Sequence, residues 1–118
     1  RLTPDMLVVC DLEGRVLAGH LHPSSESAMH LLVYRERPDV GAVVHAHPPA
    51  ATAFSICRRP LAQHYLTETI SGLGEVPVAP FALPSTSQVP DSLRPYVAGC
   101  NGALLANLEA GWNCHQSR

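Results

Sequence analysis

Residues 40–47, VGAVVHAH, run straight into Pro48-Pro49, and this stretch constrains the fold more than any other. Its β-branched, almost wholly apolar run is of strand length and reads as a buried strand. Proline has no backbone N–H to give a ladder, so the pair ends the strand. Proline is tolerated in the first turn of a helix, so PPAATAFSICR reads as the helix that follows. The strand over residues 41 to 47 is expected in the middle of a sheet.

The flanking segments supply the rest of such a sheet. DMLVVCDLEGRVLAG contains two β-rich runs around Leu12-Glu13-Gly14, a hairpin over residues 6 to 18 with Gly14 in its turn. HPSSESAMHLLVYRERPD carries helical signals. Ser24 or Ser25 is placed to cap it, Ala28, Leu31, Leu32 and Arg35 form one stripe, and Pro38 closes it. HYLTETISGLG is ambiguous. EVPVAPFAL reads as a proline-punctuated strand near a sheet edge, VPDSLRPYVAG as a short helix, and NGALLAN as a last buried strand. Helices alternating with strands in 118 residues imply one α/β domain built on a single sheet.

Composition narrows the partners. A net charge of −2 gives no electrostatic footprint for nucleic acid or an anionic membrane. No apolar run approaches the roughly 18 residues of a spanning helix, and RLTPDMLVV is not a signal peptide. Cys10, Cys57, Cys100 and Cys114 are scattered without a CxxC pair, as expected of reduced thiols in a cytoplasmic protein. Seven histidines in so short a chain draw attention to metal or acid–base chemistry.

On a strand, residues i and i+2 share a face, so His45 and His47 project together, about 7 Å apart at the backbone. Their imidazoles can converge on one cation, with zinc the leading choice, or simply hydrogen-bond at a strand end. Glu26, just after Pro23-Ser24-Ser25, suits the start of the predicted helix, where the helix dipole favours a carboxylate. Ser-Ser-Glu is equally a routine capping arrangement. Hydroxyls and free N–H groups at a helix N-terminus also suit a phosphate. His30, four residues after Glu26 on the same helix face, reads as structural.

Taken in order, P-S-S-E, a helix, R-P-D, an apolar strand, H-x-H and a T-A-x-S helix resemble the core signature of the class II aldolase/adducin family. The spacing of 19 residues from Glu26 to His45 suits it, and weaker similarity continues from QHYLTETISGLGEVPVAPF to GALLAN. The resemblance implies a domain over residues 1–107, with residues 108–118 a divergent tail. It implies an α/β fold whose largely antiparallel central sheet is covered by helices on both faces. It also implies a zinc-dependent lyase that cleaves a small phosphorylated ketose of the L-fuculose-1-phosphate kind. In that reading His45 and His47 hold the divalent metal, Glu26 is acid/base and touches the metal, and Ser24 and Ser25 hold the substrate phosphate. The metal polarises the carbonyl and stabilises the enediolate left by C–C cleavage. Tyr65 is the nearest match to a second proton donor found in such enzymes. A homotetramer with active sites between subunits, in the cytoplasm, is implied as well.

The chain departs from the pattern in one place that matters. The family's third metal histidine is expected in an H-G after the last apolar strand, where this sequence has Leu108 and Glu109. Leucine cannot ligate; Glu109 and His115 are the substitutes within reach in sequence. Both ends also look shorter than the family pattern. Three alternatives therefore stand beside the aldolase: a sugar-phosphate 4-epimerase or dehydratase using the same metal, a non-catalytic adducin-like interaction module, and an inactive fragment.

Overall fold

The computed structural model describes residues 2–61, 67, 69–106 and the backbone of 112–117. Strands β1 (Val9–Cys10) and β2 (Val16–Ala18) pair antiparallel as the expected hairpin. Its turn is built by Asp11, whose carboxylate accepts the backbone N–H of Glu13 (3.0 Å) and Arg15 (2.8 Å). Gly14 closes the turn at φ +84°, and a Cβ there would lie 3.2 Å from Leu31 Cδ1, so conformation and space both call for glycine.

Helix α1 (Ser27–Glu36) leads to strand β3 (Val40–Ala46) and then helix α2 (Pro49–Ile56), with Pro48 and Pro49 ending the strand and opening the helix as read from the sequence. A short β4 (Val78–Ala79), helix α3 (Gln88–Val97), β5 (Gly102–Leu105) and β6 (Trp112–Ser117) complete the chain. Four strands form a sheet in the order β3-β6-β5-β4, antiparallel except for the parallel β4/β5 pair. As expected, β4 lies at an edge.

The core follows from the alternation along β5, all four of whose residues are buried. Ala103 and Leu105 join Met29, Leu32 and Val33 of α1 and Val89, Leu93 and Val97 of α3. Leu104 turns to the other side and packs with Ala51 of α2 and Val76. Helices thus cover both faces, and the fold is the α/β class expected. Ser55 of α2 is buried and donates its hydroxyl to the Leu105 carbonyl, pinning α2 to β5. Arg37 forms a two-pronged pair with Asp39 (2.8 and 2.7 Å) and donates to the Val97 carbonyl (3.0 Å), tying α1 to the end of α3.

Four expectations need correction. The strand over residues 41–47 is not central: among the described residues β3 closes one edge of the sheet, with Val44 57% exposed. Its outward N–H at Val43 is occupied by the Tyr34 hydroxyl (3.1 Å), which blunts the open edge. The buried stripe of α1 is Met29, Leu32 and Val33, whereas Ala28 and Arg35 are exposed, because the helix turns that face to α3 and the sheet. Neither serine is the helix cap; Glu26 holds that position without a side-chain cap bond, and Ser24 acts one turn earlier by accepting the Glu26 N–H (3.2 Å). NGALLAN is not the last strand, because β6 follows it and inserts between β3 and β5; β1 and β2 form a two-stranded sheet of their own. Among the described residues no helix is long and apolar enough to cross a membrane.

Candidate functional site

The hairpin, the start of α1 and the end of β3 enclose an open cleft of about 460 Å³. Its wall includes Cys10, Ser24, Glu26, Ser27, His30 and His45. Each part is placed by a local rule. Strand alternation turns Val43 and His45 inward while Val44 and Ala46 face out. Helical spacing stacks His30 one turn above Glu26. Leu31, resting on Gly14, holds the hairpin over the helix.

The imidazoles of His45 and His47 lie 4.7 Å apart between ring centroids, tilted by 44°. The structure therefore brings together the pair that strand geometry predicts. His30 meets His45 edge-on at 6.3 Å. Nε2 of His45 is buried and has no hydrogen-bond partner among the described residues. Such an atom needs a partner from beyond the described residues or carries a desolvation cost. Burial, and then the neighbouring imidazoles of His47 and His30, push the His45 pKa down to about 4. Burial also lowers the pKa of His30, partly offset by the negative charge of Glu26. His45 is therefore neutral at physiological pH and presents a lone pair, which is the form that binds a metal.

The two serines part company. Ser24 faces the cleft of the histidines, while Ser25 lines a narrower groove and accepts a hydrogen bond from Ser85 (3.2 Å). His47 is exposed at the rim. His30, read from sequence as structural, shares the cleft with Glu26 and His45; its four-residue spacing from Glu26 was the available signal. Among the described residues, no three His, Cys, Asp or Glu side chains converge closely enough to hold a metal. Tyr65, Leu108 and Glu109 lie outside the described residues, and of His115 only the backbone is placed, opposite Val43. Among the described residues, Cys10, Cys57 and Cys100 form no disulfide.

The donor set can be tested against a divalent cation. Two imidazoles, one with a buried nitrogen left without a partner among the described residues, and a carboxylate on the same cleft are the ligand types zinc takes. They fit in kind, though closing them to bonding distance requires side-chain movement.

Residues 1–108 match the sequence model of the class II aldolase and adducin N-terminal domain. An L-fuculose phosphate aldolase of Escherichia coli O157:H7 is 39% identical over 127 residues, covering 98% of this chain and 58% of that enzyme. A 5-deoxy-D-ribulose 1-phosphate aldolase of Bacillus thuringiensis serovar kurstaki is 39% identical over 114 residues, covering 93% of this chain and 52% of that enzyme. Among solved structures, an L-fuculose 1-phosphate aldolase superposes with a TM-score of 0.87 at 30% identity, covering 99% of this chain and 54% of the other. The chain thus spans little more than half the length of the relatives it matches.

Proposed function

Because the chain belongs to the class II aldolase and adducin family, we propose that its cleft performs aldol cleavage of a small ketose phosphate with a divalent metal, zinc in the first instance. The observation that carries this reading is the shared cleft of Ser24, Glu26, His30 and His45, whose buried Nε2 has no partner among the described residues. His45 and His47 are the residues to hold the metal, with Glu26 within the same cleft as a third donor. A cation there supplies electrophilic stabilisation of the charge that C–C cleavage places on the substrate carbonyl.

The remaining work falls to the chain. Ser24 and Ser25, just before α1, take the substrate phosphate at the positive end of the helix. In cleavage the alcohol of the breaking carbon loses its proton and the C–C bond opens. Its electron pair passes to the carbonyl as an enediolate, and a proton returns to carbon. Glu26 is the group placed to move that proton. His30, kept neutral by burial, walls the cleft without adding a charge to compete for the phosphate.

Release of dihydroxyacetone phosphate from a ketose 1-phosphate, followed with zinc present, tests the reading. Glu26→Gln should lower kcat by about a hundredfold or more. Equal turnover in Glu26→Gln and wild type, or no cleavage of any ketose 1-phosphate, would sink it.

A non-catalytic binding module is the second reading. It is favoured by the lack of three converging metal donors among the described residues. Zinc content after dialysis separates the two, since a metal enzyme retains it and the His45→Ala/His47→Ala variant does not. Assembly into a homotetramer is part of the proposal as well. Exposed Val44, Phe54 and Ile56 around the end of β3 and α2 offer apolar surface that a second copy would cover. Light scattering across a wide concentration range tests it.

A further inference from the structure

Ser85 lies in the loop between β4 and α3, sixty residues from Ser25 in the chain, yet donates its hydroxyl to Ser25 Oγ at 3.2 Å. Its backbone is at φ +60°, in the left-handed region that a non-glycine residue adopts only against steric strain. The loop around it is stitched into one conformation. Leu83 N–H donates to Gln88 Oε1 (3.1 Å), Thr86 Oγ1 donates to the Leu83 carbonyl (2.7 Å), and the Gln88 N–H returns to Thr86 Oγ1 (3.2 Å). These bonds fix the turn, and the turn aims Ser85 at the start of α1.

A serine hydroxyl has one proton to give. When Ser25 accepts from Ser85, its own proton is left to point elsewhere, and both hydroxyls are exposed where an anion can reach them. We infer that Ser85 is a positioning residue, which orients the Ser25 hydroxyl as a donor to the substrate phosphate and couples the loop before α3 to that binding site. The inference rests on the phosphate reading of Ser25 given above. It assigns the strained backbone of Ser85 a purpose, because glycine would hold the same turn more cheaply but could not donate.

That contrast gives the test, with the full chain and inorganic phosphate titrated by calorimetry. Ser85→Gly keeps the left-handed turn and removes the donor. Its thermal midpoint should be unchanged or raised, while phosphate affinity falls by about fivefold, the worth of one oriented hydrogen bond. Ser85→Asn, which tolerates the left-handed region and donates through its amide, should recover most of that affinity. A merely structural Ser85 would lower the midpoint and leave phosphate binding alone. If Ser85→Gly binds phosphate like wild type while Ser25→Ala binds it weakly, the coupling is wrong and the phosphate site stands. If Ser25→Ala binds phosphate like wild type, the phosphate role of Ser25 falls and the inference falls with it.

Discussion

Two apolar strands that look alike in sequence end up in opposite situations. GALL of β5 has strands on both sides and helices on both faces, and all four residues are buried. Among the described residues VGAVVHA of β3 pairs with β6 alone, and only Val40 of the strand is buried. The difference is what lies alongside, not what the strand is made of. β5 is the layer on which two cores meet, whereas β3 turns one face and one end, with His45, to the cleft. An apolar run therefore states that a strand will be covered by something, and leaves open whether its own chain does the covering.

The largest test of this contrast is truncation of one apolar residue on each strand. Leu104 is fully buried between α2 and Val76, so Leu104→Ala should cost about 3 kcal/mol in denaturant unfolding, from lost transfer energy and the cavity left behind. Val44 is 57% exposed, and Val44→Ala should stay within about 0.5 kcal/mol. Similar losses at both positions would mean that β3 is buried in solution, and would point to a covering partner.

A middle-sized effect is expected at Ser55, where α2 is fixed to β5 by the hydroxyl donated to the Leu105 carbonyl. Ser55→Ala leaves that acceptor buried and unpaired, which costs about 1–2 kcal/mol. Ser55→Cys, a weak donor of similar size, should recover part of it. No loss in Ser55→Ala would show that α2 is held by apolar packing alone.

Local signals in the sequence were reliable where one residue dictates one geometry. Gly14 gave the hairpin, Pro48-Pro49 the strand end, and the i, i+2 spacing of His45 and His47 the pairing of their rings. What sequence could not convey was set by distant partners. The buried stripe of α1 depends on where α3 lies, the position of β3 depends on β6 inserting from the far end of the chain, and the Ser25–Ser85 contact joins segments sixty residues apart. His30 was visible as a helix-face neighbour of Glu26, but only the packing of α1 against β3 sets it against His45.

The last of these tests separates the cleft end of β3 from the rest of the strand. In metal-free protein kept in chelator, His45 has a buried Nε2 without a partner among the described residues, and its pKa is held down to about 4 by burial and by the imidazoles of His47 and His30. The unfolded chain takes a proton on this histidine near its ordinary value of 6.5, whereas the folded chain does not until about 4. The unfolded state thus binds more protons between those values, so stability is complete above 6.5 and drains away as pH falls towards 4. His45→Leu, of similar bulk and without a polar atom to desolvate, should be as stable as wild type or slightly more so at neutral pH. Its acid slope should be shallower, with the residue left by His30, which burial also depresses. Urea midpoints measured from pH 7.5 to 4.5 read both quantities. An unaltered acid slope in His45→Leu would mean that His45 is paired in solution and that β3 ends in scaffold; a shallower one would mark its inner face as a site kept open for a ligand.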